Sequence, residues 1–138
     1  MFTNNSFGKT LDLLHRTMDV TVLRRQVIAD NLANSDTPHF KRSVVNFESE
    51  LKRVLDSQRI KKLPAKLSDP RHIPFERVRD YREVRPVKVL DYLTTSKNNG
   101  NNVDLEEEMM LGLSNQLNYD LLSRVVANQF TQLNIVVR

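Results

Sequence analysis

The 138-residue chain has no cysteine and no tryptophan, and only 3 glycines. Without cysteine there are no disulfides, thiolate metal sites or cysteine nucleophile, and the redox compartment stays open. So few glycines disfavour a glycine-rich phosphate loop and a turn-dense β-sandwich. No run nears the roughly 20 apolar residues of a membrane span, so no membrane insertion is expected. The opening stretch MFTNNSFGKTLDLL has no charged n-region, apolar h-region or small-residue cleavage site, so a cleaved signal peptide is not expected either.

Histidine is also sparse. His15, His39 and His72 lie far apart, with no H-x-x-x-H or HExxH spacing, so no metal site is expected. No Walker loop, GxGxxG or Ser/His/Asp ordering is present, which argues against an enzyme and against a cofactor.

Charge is unevenly spread. Lys plus Arg against Asp plus Glu is 4 to 4 over residues 1–40, 15 to 8 over 41–97 and 2 to 5 over 98–138, so the net +4 comes from the middle of the chain.

What is abundant is helical periodicity. Phe7, Leu11, Leu14, Met18, Val22, Ala29 and Leu32 recur at three, four or seven, widened by Leu13, Val20, Leu23 and Val27. The stripe predicts a helix of about 40 Å at 1.5 Å per residue. Asn5 or Ser6 is placed to cap its start, and Asn34 to take a left-handed C-terminal cap. Pro38 pushes Thr37 out of helical space. Asn31, one residue before Leu32, is a polar residue positioned to fix register at a seam.

Phe47, Leu51, Val54 and Leu55 predict a short helix capped by Asn46. The segment beyond holds Pro64, Pro70, Pro74 and Pro86 and no sustained period, with a short strand expected at Val87 to Leu90. A polar linker, Thr94 to Asn102, leads to Asp104 and Glu107, the D-x-x-E of a capping box. Glu106, Glu107 and Glu108 add first-turn charge of the sign that the helix dipole favours. The helix that follows runs to about Val136, with Met110, Leu113, Leu117, Leu121 and Val125 in one row and Leu122, Val126, Phe130 and Leu133 in another.

These elements predict an all-α fold: two long terminal helices forming an antiparallel or coiled-coil pair, with an irregular, partly extended middle. The parts are a terminal helix and turn (1–40), a short helix (41–57), an irregular basic segment and linker (58–102) and a second terminal helix (103–138). The apolar stripes exceed what one helix pair covers, which predicts self-association or a partner.

The basic middle segment offers a nucleic-acid reading. Arg59, Lys61, Lys62, Lys66, Arg71, Arg77, Arg79, Arg82, Arg85 and Lys88 interleave with Phe75 and Tyr81, although Asp69, Glu76, Asp80 and Glu83 interrupt them. In that alternative the terminal helices dimerise a nucleic-acid-binding module; a third reading is a cytosolic coiled-coil adaptor. No nucleic acid is expected on the preferred reading.

The stretch IADNLANSDTPHFKR resembles the signature of bacterial flagellar rod and hook proteins, NLAN-x-x-TP-G-[FY]-K, through Asn31, Leu32, Ala33, Asn34, Thr37, Pro38, Phe40 and Lys41. Downstream, Asn102, Val103, Asp104, Glu108, Asn115, Gln116, Leu117 and Tyr119 resemble the NVD-x-x-x-E and NQ-x-x-Y patterns of the proximal rod members. His39 stands where that signature has glycine, a position that needs positive φ if it is the third residue of a type II turn.

The resemblance implies a structural subunit of the basal-body rod, the drive shaft above the MS ring, in the periplasmic space. Implied partners are further copies of itself, other rod proteins, the MS ring and its rod adaptor, with the flagellar type III export apparatus handling the chain in transit. The residues expected to serve assembly are Leu14, Met18, Asn31, Leu32, Asn34, Thr37, Pro38, Phe40, Leu117, Tyr119, Leu121 and Val125. Phe40 is expected to pack against the long helices or a neighbour while the turn sets the exit angle of the chain.

Overall fold

The computed structural model describes residues 5–59, 68–72, 80–94 and 98–137. Helix α1 (Ser6–Ala33) is followed by strand β1 (Ser43–Asn46), helix α2 (Glu48–Arg59), a single 3-10 turn at Tyr81–Glu83, strand β2 (Val87–Leu90) and helix α3 (Leu105–Val137). The two long terminal helices are therefore present, and β1 pairs with β2 in a small sheet. The expected strand at Val87–Leu90 exists, but its partner β1 carried no turn signal or alternation long enough to announce it.

The chain forms two compact units, residues 1–45 with 88–138, and residues 46–87. In the first, α1 and α3 lie against each other. Asn31 meets Glu108, Ile28 lies 3.7 Å from where a Cβ on Gly112 would stand, and the Asn115 amide donates to the Thr21 carbonyl at 2.8 Å. Each step back along α1 meets a step forward along α3.

The row of α1 that is buried is Val20, Thr21, Val27 and Asn31. Val22 and Leu32, members of the primary stripe in the sequence, are 48% and 37% exposed. One partner helix covers one row, and a stripe wider than that keeps its outer members wet. The same holds for α3, where Met110, Leu113, Leu117, Leu121 and Val125 are exposed while Leu122, Val126 and Leu133 are half-buried.

Two of these three expected caps differ in detail. Asn5 does cap α1, accepting from Ser6 N–H at 2.8 Å. Asn34 closes the other end at φ −105°, not in left-handed space; its N–H is shared among carbonyls of the last turn. Asn46 lies in β1, its side chain accepting from the Ser49 hydroxyl at 2.6 Å ahead of a helix that starts at Glu48.

At α3, Asp104 accepts from Glu106 N–H (2.9 Å) and Glu107 N–H (3.4 Å). The reciprocal half of the capping box is missing because the Glu107 carboxylate is engaged by Arg42 at 3.0 Å. A cation within reach outcompetes a return bond to one neutral N–H.

In the second unit, Phe47, Val54 and Tyr81 are buried. The Arg82 guanidinium carbon lies 5.6 Å from the Tyr81 ring centroid. Tyr81 is thus committed to packing rather than offered for base stacking. Lys61, Lys62, Lys66, Phe75, Arg77 and Arg79, the remainder of most of the basic and aromatic series, lie outside the described residues.

Candidate functional site

Where α1 ends, the chain leaves through β1 and returns to start α3, and these three passages are tied by buried polar side chains. Asn31, 1% exposed, acts as a surrogate strand neighbour for β1: its carboxamide nitrogen donates to the Ser43 carbonyl and its oxygen accepts from Ser43 N–H, both at 2.9 Å. The same nitrogen reaches Glu108 Oε2 at 3.2 Å. A carboxamide carries one donor group and one acceptor, like a peptide, so it closes a strand edge without a strand.

Glu108 is 1% exposed and lies 3.1 Å from an Arg42 nitrogen whose side chain is itself only 13% exposed. The contact is an ion pair without hydrogen-bond alignment, since Glu108 Oε1 and Arg42 Nε are buried without a hydrogen-bond partner. Arg42 also holds Glu107, and its backbone N–H donates to Asn102 Oδ1 at 2.7 Å. Asn102 passes the link on, donating to the Asp91 carbonyl at 2.7 Å and the Thr94 hydroxyl at 3.2 Å.

A second amide locks the turn after α1. The Asn101 side-chain nitrogen lies 2.9–3.0 Å from the carbonyls of Asn34, Ser35 and Thr37, and its oxygen accepts from Val103 N–H at 2.7 Å. Two hydrogens serving three carbonyls require sharing; these carbonyls belong to the turn after α1, whereas the Asp30, Asn31 and Leu32 carbonyls of the last helical turn accept from the Asn34 and Ser35 N–H groups.

His39 adopts φ +59°, the positive value that the sequence pattern made conditional on a glycine-type turn. Its N–H donates to the Asn99 carbonyl at 3.2 Å, and its ring sits 3.0 Å from where a Cβ on Gly100 would stand, with Gly100 itself at φ +78°. Lys41 Nζ closes the corner on the Gly100 carbonyl at 2.9 Å. Left-handed space costs a β-carbon-bearing residue about 1 kcal/mol relative to glycine. His39→Gly is therefore expected to stabilise the chain by about that amount, read as a higher urea midpoint at unchanged slope. In the His39→Gly background, Gly100→Ala should cost less than it does alone, because the ring it meets is gone.

Of the residues expected to serve assembly, Asn31 is buried in the junction, Asn34 and Phe40 are half-buried beside it, and Thr37 and Pro38 are exposed on the turn. Leu14 and Met18 are half-buried on α1, and Leu32 is 37% exposed. Leu117, Tyr119, Leu121 and Val125 are exposed on α3 at 61%, 37%, 62% and 37%. The junction therefore gathers Asn31, Asn34, Thr37, Pro38 and Phe40, the outer row of α3 carries Leu117, Leu121 and Val125, and Tyr119 lines a groove with Met18 between the two helices.

No family model matches the chain. It is 42% identical over 134 residues to the flagellar basal body rod protein FlgB of Borrelia hermsii, spanning 97% of this chain and 99% of that one. The FlgB family it is. FlgB of Bacillus subtilis is 31% identical over 95% of both chains, and FlgB of Escherichia coli is 27% identical over 81% of this chain and 80% of its own. Membership assigns a structural part in the flagellar basal body rod and no catalytic activity.

Several residues of this FlgB-family junction escaped the sequence reading. Asn101 and Ser43 gave no signal beyond polarity. Glu108 was absorbed into a helix-dipole explanation that fits Glu106, exposed in the first turn, but not a carboxylate buried against Arg42. A usable signal was the motif-matching of Asn102, Glu108 and Asn115, polar residues in a pattern otherwise accounted for by apolar spacing. Asn115, 5% exposed, sits in the α1–α3 seam with its amide oxygen unpartnered.

Asp91 fixes the turn after β2. Its carboxylate accepts from the Thr94 hydroxyl at 2.7 Å and from Leu93 N–H at 3.1 Å, and these bonds, the Thr94 one foremost, hold its pKa below the ordinary aspartate value. A lowered folded-state pKa gives stabilisation that is complete above the unfolded value and lost as pH falls through the folded one. The turn is accordingly expected to loosen only in acid below the ordinary aspartate range, and Thr94→Ala should move the Asp91 midpoint upward in a carboxyl-carbon NMR titration.

Proposed function

We propose that this chain is a subunit of the proximal rod, built into the drive shaft above the MS ring by its terminal helices α1 and α3, acting as an antiparallel coiled-coil pair. The observation that carries this is the outer row of α3. Met110, Leu113, Leu117, Leu121 and Val125 stand 37–68% exposed on a helix already packed against α1 on its other side. From Met110 to Val125 this row extends about 22 Å at 1.5 Å per residue. Such a face is stable in water only at a cost that an assembly removes.

Charge supports the same reading. Between Met109 and Val137, α3 carries only Asp120 and Arg124 as charged residues. A helix so poor in charge is suited to burial on more than one side. Repeating one head-to-tail contact around an axis then gives a helical tube. The MS ring and its rod adaptor, the other rod proteins and the export apparatus are the partners this role entails. Asn34, Thr37, Pro38 and Phe40 set the direction in which the chain leaves the helical layer.

The test is to delete the gene in its source bacterium and image basal bodies by electron cryotomography. MS rings without rods, restored by the wild-type gene, are expected; intact rods and filaments in the deletion strain would overturn the reading.

A further inference from the structure

The linker before α3 carries a reactive pair that the junction does not account for. Asn99 is followed by Gly100, the only place in the chain where glycine follows asparagine. An asparagine carboxamide and the backbone nitrogen of the next residue can close a five-membered imide. Glycine favours that closure because no Cβ stands beside the attacking nitrogen. Gly100 adopts φ +78°, and a Cβ on it would meet the His39 ring at 3.0 Å, so this corner accepts glycine alone without strain.

Asn99 also differs from the asparagines around it. Asn31, Asn101 and Asn102 are buried with their carboxamide nitrogens in hydrogen bonds, whereas Asn99 is exposed. Its side-chain oxygen accepts from Asn101 N–H at 3.1 Å, which folds the carboxamide back over the Gly100 peptide. The same N–H is a donor aimed at the atom that turns negative when a nucleophile adds to the carboxamide carbon.

A base stands on the other side of the glycine. His39 Nδ1 is the nearest atom to the would-be β-carbon of Gly100. His39 N–H donates to the Asn99 carbonyl at 3.2 Å and Lys41 Nζ to the Gly100 carbonyl at 2.9 Å, so both peptide units are held beside the ring. An imidazole is the side chain best suited to take up and return a proton near neutral pH.

We propose that Asn99 is a self-modification site, deamidated through a cyclic imide by the corner that holds it. The Gly100 nitrogen attacks Asn99 Cγ as its proton passes to the His39 ring, directly or through one water. The oxyanion forms on Oδ1 against Asn101 N–H, and the carboxamide nitrogen takes the proton back and leaves as ammonia. Water then opens the imide at either carbonyl, giving an aspartyl or an iso-aspartyl residue. The net change is amide plus water to acid plus ammonia, with no oxidation or reduction. The iso-aspartyl product has one additional main-chain atom just ahead of Asn101, whose side chain ties the turn after α1. Conversion therefore loosens the junction as the chain ages.

The purified full chain, incubated at neutral pH and followed at Asn99 by peptide mapping in a mass spectrometer, tests the site. Conversion of amide to acid, matched by released ammonia, is expected about tenfold faster than in a synthetic peptide of residues 98–104, a small share of what an oxyanion donor and a general base supply in an enzyme. Asparagine tolerates left-handed backbone, so His39→Asn keeps the corner, removes the base and should bring the rate to within about twofold of the peptide. His39→Gly gives the same reading should His39→Asn fold poorly. Conversion in the folded chain no faster than in the peptide would overturn the proposal, and a fast rate unchanged by loss of the ring would overturn the part given to His39.

Discussion

Arg42→Ala is expected to cost about 3 to 5 kcal/mol, the range for breaking a buried pair by removing one partner. Glu108, 1% exposed in the intact chain, would be left with the Asn31 amide as its surviving polar contact. A domain of this size has a total stability on the order of 5 to 15 kcal/mol, so the loss would bring it near the unfolding threshold. Urea unfolding followed by circular dichroism measures it. Glu108→Gln in the Arg42→Ala background should restore part of the loss, because the group left behind is neutral and still meets Asn31. A cost below about 1 kcal/mol, with no recovery in the double variant, would mean that water reaches Glu108 and screens it.

The second large effect falls on assembly and spares the monomer. Leu117 and Leu121 are 61% and 62% exposed. Changing both to aspartate is expected to alter the unfolding free energy by no more than about 0.5 kcal/mol per site, as for surface substitutions away from special features. In the rod the same carboxylates would be buried in an apolar contact without partners, at a cost that an interface cannot absorb. Swarming in soft agar should be abolished and basal bodies should lack rods, at normal protein level. Wild-type swimming by the double variant would show that this row faces solvent in the assembly.

The contrast between these two variants follows from how polar and apolar residues are distributed. The α1–α3 seam and the junction bury Asn31, Asn101, Asn102, Glu108 and Asn115, while large apolar residues of α3 stand outside. Within the chain, specific polar contacts select one register for the helices. Between chains, a charge-poor surface is left for burial. A buried asparagine at a seam stabilises less than leucine but discriminates strongly between registers. Asn31, which the sequence positions to fix register at a seam, serves a seam within one chain, against β1 and α3.

Local periodicity and punctuation in the sequence by themselves determined the two long helices, the short helix after Phe47, the break at Pro38 and the strand at Val87–Leu90, because those depend on neighbours within a turn or two. The motif matches around Asn31 and Asn102 likewise placed the chain among flagellar rod proteins before any geometry was known. The sequence could not determine which apolar row of each helix turns inward. Both rows satisfy the same 3.6-residue period, and only the packed pair selects Val20 and Val27 over Val22 and Leu32. Nor could it determine that Arg42 and Glu108, separated by more than sixty residues, share a buried site, or that the Asn31 amide stands in for a strand. Those contacts are made by elements distant in sequence, and their energies exist only once tertiary packing has removed the water between them.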